Sequence, residues 1–575
     1  MPENHTSYQA RLTSLRMQMK DLDLDGFILP RTDEFQGEFL ASYAERLAWL
    51  TGFTGSAGAA IILRDKAVVM SDGRYTIQLT QQVDQGLFSC EDSTQISIGK
   101  WLVDNMVEGR MGYDQWLHTP GQIEKIQEAL IETNITLVPL SKNLVDKVWH
   151  DQPQKPSAPV TLFPNDVAGK TSAQKRAGIA SDLKLAGVNA CLITLSDSIC
   201  WLLNIRGGDI GYSPLVLSYA ILYDDATLDW FVDPQKISND IRAALGDDIR
   251  IKAMDEIENF LTGLSDVIAM DTASAPIAFE NMLVKAGKEY VLIKDPCVAP
   301  KSIKTPSEQD AIRKAHITDG IAITKFLKWL ADQNKFTPMS ELSVENKLEG
   351  FRKESKDYIE PSFPTIAGFA SNGAIVHYRA STQTDKAIEG NGLLLVDSGG
   401  QYKWGTTDIT RTVAIGTPTQ EMRENYTRVL KGHIAVANAQ FPKGTTGKDI
   451  DTLARAPLRE VGLDYAHGTG HGVGCYLCVH EAAANLSPRG ELALEAGMLI
   501  SNEPGYYKEG EYGIRLENLV LVQEEESADM LYFETVTLAP FADDLIVKEM
   551  LSDDEMRWLD SYHKKVLSIL GAALN

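Results

Sequence analysis

The sequence predicts an α/β (α+β) chain in three parts: two related N-terminal α/β domains, then a larger C-terminal domain mixing helices with strands. Three observations carry this. At 575 residues the chain has room for about three domains with cores of their own. Two breaks divide it, a proline-rich polar stretch from Trp149 to Pro159 and a second break from Asp295 to Lys304. Before the second break, one order of features occurs twice. These divisions place the domains at 1–153, 154–304 and 305–575, the last carrying a C-terminal extension from about 510 to 575.

Each copy of the repeated unit begins with an apolar strand and continues into Trp-Leu, at Trp49-Leu50 and Trp201-Leu202. A glycine-containing loop follows, then a second apolar run (Ala59 to Leu63, Ser218 to Tyr223) and a strand ending at an Asp turn, Asp72 or Asp233, before a helix. Strand-turn-helix units in this order imply two related α/β domains. The third domain opens at Thr305-Pro306-Ser307-Glu308, a capping box with proline at the first helical position. The helix behind it is read from Ile312, Ala315, Ala322, Phe326, Trp329 and Leu330 at helical spacing.

Charge and composition narrow the function. Lys plus Arg number 55 against 79 Asp plus Glu, a net charge of −24, which repels phosphate backbones and argues against nucleic-acid binding. Six scattered cysteines build no disulfide framework and point to a reducing compartment. Met1 to Lys20 lacks the apolar core of a signal peptide, and no run approaches the roughly 18 apolar residues of a membrane span. The expected location is the cytoplasm, with no membrane partner.

The chemistry lies in the last third. Asp397 closes the apolar run Leu393 to Val396, Asp408 opens the alternating run through Val413, and a Gly-rich segment joins them. Two adjoining strands would present these two carboxylates together. His471 sits in His467-Gly468-Thr469-Gly470-His471-Gly472, Glu503 follows Met498-Leu499-Ile500, and Glu517 lies in the strand-like run Gly513 to Val520. Taken singly, each is an ordinary turn or solvated residue. Together, four carboxylates in one pocket cannot all stay ionised without compensation, and two divalent cations would supply it. Carboxylates with a single imidazole form a hard donor set, which favours Mn, with Co or Zn able to compete.

The wording around each residue sharpens this: Val396-Asp397-Ser398-Gly399-Gly400, Thr407-Asp408-Ile409-Thr410-Arg411, Gly470-His471-Gly472-Val473-Gly474, Asn502-Glu503-Pro504-Gly505-Tyr506-Tyr507 and Arg515-Leu516-Glu517-Asn518. At these residues the chain resembles the pita-bread metallopeptidases, and within them the three-domain X-Pro aminopeptidases (aminopeptidase P). The resemblance extends to Trp49 to Gly58, Trp201 to Gly207 and Leu538-Ala539-Pro540-Phe541. It implies two creatinase-like domains before a pita-bread catalytic domain, a homodimer, and a dinuclear site of Asp397, Asp408, His471, Glu503 and Glu517. His377, His467 and His480 match positions that line the substrate pocket, and Arg74 matches a residue that reaches the peptide. From the residues alone each histidine reads more readily as a structural side chain. Arg515 shares strand parity with Glu517 and could support it.

The expected reaction is hydrolysis of the N-terminal Xaa-Pro bond, releasing the first residue, with a metal-bridging hydroxide attacking the carbonyl. Glu503 would take the proton. The proline nitrogen has no N–H and must gain a proton as the bond breaks, from His480 or through Glu503. The free amino terminus would sit near Asp397. Two alternatives use the same residues: a prolidase restricted to Xaa-Pro dipeptides, and a pita-bread binding module without catalysis. Cys475-Tyr476-Leu477-Cys478 departs from the pattern. With no second cysteine pair and no redox fold around it, it reads as two packed small side chains.

Overall fold

The computed structural model describes residues 5–264, 267–333, 338–525 and 529–574. Of the polar opening Met1 to Lys20, residues 1–4 lie outside this set. The chain forms two compact units, residues 1–163 with 171–297, and residues 164–170 with 298–575.

The N-terminal unit holds two six-stranded sheets of one topology. In the first, the strands run in the order Ser89–Asp92, Ala67–Ser71, Ala59–Leu63, Gly26–Pro30, Glu108–Asp114, Asn134–Leu140. In the second they run Ile249–Lys252, Leu228–Phe231, Tyr219–Tyr223, Ala190–Ile193, Ile268–Met270, Tyr290–Leu292. In both, successive pairings are parallel, antiparallel, antiparallel, parallel, parallel. Identical order and identical pairing explain the repeated sequence features as two copies of one α/β domain.

The unbroken apolar runs follow from burial on both faces. Phe27, Leu29, Ala60 and Ile62 point into one core with Leu12, Leu15 and Met19 of helix His5–Asp21. Their alternate neighbours Ile28, Ile61 and Leu63 point into another, against Trp101, Leu102, Ile123 and Ile126 of helices Ile98–Asn105 and Pro120–Leu130. Trp149 stacks on Trp49 with ring centroids 5.3 Å apart, so the proline-rich stretch begins from an anchored residue.

In the C-terminal unit the capping box forms as read: Thr305 Oγ1 accepts from Glu308 N–H and the Glu308 carboxylate accepts from Thr305 N–H. It opens helix Pro306–Asp332. The break before it is more ordered than its sequence suggests. Val298–Ser302 is a short helix, and Lys301 and Lys304 are buried, both paired with the Glu481 carboxylate.

A three-stranded sheet sets Gly392–Ser398 between Ile366–Phe369 and Ile409–Ile415, with Asp397 opposite Thr410. A six-stranded sheet runs Gln440–Pro442, Met530–Thr535, Asn518–Glu524, Leu499–Asn502, Gly470–Gly472, Glu481–Leu486. Arg411 ties the C-terminal tail to this framework. Fully buried over the Phe541 ring, it donates to the carbonyls of Glu517, Ala539 and Pro540 and to Asn518 Oδ1 at 2.7–2.9 Å. Replacing it with Ala leaves those acceptors unsatisfied at about 1–3 kcal/mol each, so Arg411→Ala is expected to lower stability by at least about 3 kcal/mol. Its urea midpoint will fall well below the wild type's, and an unchanged midpoint would refute this assignment.

Candidate metal centre

The strand pairing that sets Asp397 opposite Thr410 also brings Asp397 and Asp408 to the same end of two neighbouring strands. His471 arrives on strand Gly470–Gly472, which pairs with Leu499–Asn502, and Glu503 stands one residue beyond that strand. The close packing of these two strands needs glycine at 470, where a Cβ would lie 1.9 Å from the Ser501 carbonyl oxygen. Ser501 Oγ accepts from His471 N–H (2.9 Å) and donates to Glu503 Oε1 (3.3 Å), locking the two ligand candidates together.

Glu517 differs from expectation. The run Gly513 to Val520 is not one strand but two, Tyr512–Arg515 and Asn518–Glu524, in different sheets. The chain crosses between sheets at Leu516-Glu517, and Glu517 N–H donates to the Thr410 carbonyl. Arg515 and Glu517 nevertheless converge on Thr410, whose Oγ1 donates to Glu517 Oε2 (2.7 Å) and accepts from Arg515 Nε (3.3 Å).

Ligand atoms of Asp408, His471 and Glu517 lie within 4.8 Å of one another. Glu503 Oε1 stands 3.5 Å from His471 Nε2, as does Asp408 Oδ2. Asp397 gives Oδ2 to the Arg515 guanidinium at 2.6 Å. One oxygen each of Asp397, Asp408 and Glu517 is buried without a hydrogen-bond partner among the described residues. Orphaned carboxylate oxygens are costly, and three of them around one imidazole fit divalent cations.

The electrostatics agree. Burial raises the Glu503 carboxyl to about 7, with repulsion from Asp408 and Asp397 adding to it and His471 and Arg515 opposing. Burial, then repulsion from Asp408, Glu503 and Asp397, lifts Glu517 well above the ordinary range. Burial likewise raises Asp397, despite the opposing Arg515, with Asp408 repelling it further. Burial alone would lower the His471 imidazole, but Asp408 and Glu503 lift it to about 9. His471 Nδ1 contacts the Gly472 carbonyl at 2.9 Å. A carbonyl can only accept, so Nδ1 carries the proton and Nε2 faces the carboxylates, the tautomer a metal ligand needs.

His480 is exposed, its ring edge-on to His471 at 4.3 Å. His467 donates from Nδ1 to the Gly468 carbonyl (2.7 Å), which leaves Nε2 to accept from Tyr507 OH (2.8 Å). Tyr507 OH in turn accepts from Arg515 (2.7 Å), so hydrogen bonds run unbroken from Asp397 through Arg515 and Tyr507 to His467. His377 is partly buried in a turn whose Val376 carbonyl accepts from Arg515 (3.4 Å). Arg74 belongs to the N-terminal unit, where it pairs with Asp72 at 2.8 Å. Cys475 and Cys478 lie in a non-helical segment, and Cys475 Sγ contacts the Trp404 carbonyl.

Sequence reading missed Tyr507, Thr410 and Ser501. All three stand inside or beside the motifs, but their roles depend on pairings between distant strands. Register is the signal that would have found Thr410, which lies opposite Asp397.

Residues 310–524 match Metallopeptidase family M24, residues 11–148 and 151–308 each match a Creatinase/Prolidase N-terminal domain, and residues 529–575 match the C-terminal region of peptidase_M24. The chain is 36% identical over 584 residues to the probable Xaa-Pro aminopeptidase P of Paracoccidioides brasiliensis, covering 97% of this chain and 95% of that protein. The chain belongs to metallopeptidase family M24. Among solved structures related to this M24 chain is X-prolyl aminopeptidase from Caenorhabditis elegans, described as a cytosolic enzyme with a di-nuclear active site. It superimposes with a TM-score of 0.94 at 30% identity, over 99% of this chain and 97% of that one. Prolidase from Pyrococcus furiosus is similar over 62% of the M24 chain and 98% of its own, at 26% identity and a TM-score of 0.51.

Proposed function

We propose that this M24 chain is a metal-dependent aminopeptidase that hydrolyses the N-terminal Xaa-Pro bond of peptides and releases the first residue. The observation that carries it is the cluster of buried Asp397, Asp408 and Glu517 with half-buried His471 and Glu503, in which three carboxylate oxygens have no hydrogen-bond partner among the described residues. Likeness to X-Pro aminopeptidases along almost the whole chain supports the substrate class.

The five residues would hold two divalent ions, Mn by the hardness of the donor set. Such ions, when bound, acidify a water and polarise a peptide carbonyl. Glu503 is the carboxylate suited to accept the proton of the attacking water. The proline nitrogen needs a proton to leave, and His480, exposed and against His471, is the group we assign to deliver it. Arg515 would keep Asp397 in place, His377 and His467 would line the pocket, and Arg74 would contact the peptide. His480→Gln is expected to lower kcat on an Xaa-Pro-Xaa tripeptide by about 10²-fold with bound metal unchanged. A variant that keeps wild-type kcat would remove His480 from the proton path.

The test is metal-stripped protein given Mn and assayed on Xaa-Pro-Xaa, Xaa-Ala-Xaa and Xaa-Pro. Release of the first residue from the proline tripeptide alone supports the reading. Cleavage of only the dipeptide means a prolidase, cleavage of the alanine peptide removes proline as the determinant, and silence with metal bound leaves a binding module. Metal analysis of protein grown without metal supplementation tests Mn, and sedimentation tests the homodimer proposed on family likeness. Among the described residues no helix is long and apolar enough to cross a membrane. A cytoplasmic location is proposed on the six scattered cysteines of the sequence, which suggest no disulfide framework, and is checked by fractionation.

A further inference from the structure

Beside the strands that carry Asp397 and Asp408 lies an ion pair whose hydrogen bonds, among the described residues, go to none of the five. Arg352, the last residue of helix Glu341–Arg352, and Asp319, within helix Pro306–Asp332, are both buried. Arg352 Nε lies 2.8 Å from Asp319 Oδ1. Burying such a pair is costly, and an apolar replacement of similar volume is often neutral or stabilising. Stability alone is therefore a weak reason for charges here.

What an apolar pair could not supply is the set of hydrogen bonds running forward from this one. Arg352 donates to Ser398 Oγ at 3.1 Å, and Ser398 follows Asp397. Asp319 Oδ1 accepts from Tyr402 OH at 2.8 Å, in the segment joining the two aspartates. Burial would raise the Asp319 carboxyl, yet Arg352 and the hydrogen bond from Tyr402 hold it below the ordinary range. One ion pair thus holds the residue after Asp397 and, through Tyr402, the turn that leads to Asp408. Thr407 precedes Asp408. The two arms meet closely: a Cβ on Gly399 would lie 2.0 Å from the Thr407 carbonyl oxygen. Thr407 Oγ1 also accepts from Gly400 N–H at 2.9 Å, so the arms cannot shift independently.

We propose that Arg352 and Asp319 are positioning residues that fix the spacing of Asp397 and Asp408 and thereby the affinity for the more weakly held of two divalent ions. This rests on the two-ion reading above. Outer partners of metal ligands tune affinity by about 10–100-fold, and a brace common to two ligands belongs at the upper end.

The test is calorimetric titration of Mn²⁺ into metal-stripped protein, with the spin-coupled EPR signal of a dinuclear Mn pair as a second readout. The wild type should take up two ions. The double variant Arg352→Met with Asp319→Leu, which leaves no buried charge behind, should hold the first ion nearly as the wild type does. It should bind the second about 10–100-fold more weakly and lose the coupled signal at matched metal. Ser398→Ala and Tyr402→Phe each remove one hydroxyl and should weaken the second ion by about 2–10-fold, deciding the matter if the double variant does not fold. Wild-type affinity for both ions in the folded variants overturns the brace. So does a uniform loss at both sites in step with a lower melting temperature, which would assign the pair to general stability. A wild type that binds fewer than two ions overturns the two-ion reading itself, and the brace with it.

Discussion

Glu517→Gln will reduce kcat/KM by at least about 10³-fold and lower metal content, while leaving the metal-free protein at least as stable as the wild type. The two effects have one cause. Glu517 is buried, accepts from Thr410 through one oxygen and leaves the other without a partner among the described residues, with Asp408, Glu503 and Asp397 repelling its charge. An uncharged isostere keeps the Thr410 hydrogen bond and removes the repulsion, so the metal-free fold loses nothing. With metal present, the same change takes away an anionic ligand whose charge the ions require, and losses of this order follow when stabilisation of a transition state is removed. Assay, metal analysis and thermal melting of stripped protein check the three parts. Retained activity would exclude Glu517 as a ligand, and a joint collapse of activity and metal-free stability would make it structural.

Metal removal supplies the second large effect, and it depends on pH. In the stripped protein the Glu503 carboxyl lies at about 7 in place of its ordinary 4.5. It costs the fold nothing below 4.5, where it is neutral folded or unfolded, and destabilises progressively as pH rises towards 7. His471, at about 9 in place of 6.5, contributes stability that is fully present below 6.5 and lost as pH rises through 9. Both slopes run downward with pH, and Glu517 and Asp397 add to the carboxylate part. Bound ions reverse this, because ligands must be deprotonated to bind and affinity rises with pH. The melting temperature of stripped protein should therefore fall between about pH 5 and 9, and the gap to metal-loaded protein should widen by roughly 5–10 °C. A gap constant across that range would mean that the cluster's charges are balanced without metal.

The candidate site was largely legible in the sequence because each ligand candidate sits in a short motif, and beside Asp397 and His471 the glycines reflect close strand packing, as Gly399 does against Thr407 and Gly470 against Ser501. The duplicated domain was legible for a related reason: runs buried on both faces stay apolar whatever surrounds them, so Ala59 to Leu63 reads as a strand in isolation. What could not be read is pairing at a distance. Nothing local marks Tyr507 as the link between Arg515 and His467, or Thr410 as the hydroxyl held by Glu517. The break at Leu516-Glu517 was hidden because alternation continues through it while the chain changes sheet. The helix Val298–Ser302 was hidden because Lys301 within it and Lys304 just beyond it look solvated until Glu481 is brought to them.

Arg411 draws its partners from very late in the chain: Asn518 lies 107 residues beyond it and Pro540 lies 129 beyond it. During synthesis, strand Ile409–Ile415 leaves the ribosome long before those acceptors exist, and at about 5–20 residues per second the wait lasts many seconds. Through that interval the guanidinium has none of those acceptors and keeps its water. The acceptors that close over Arg411 include the backbone carbonyl of Glu517, so the same late contacts that settle this strand also settle one of the ligand candidates.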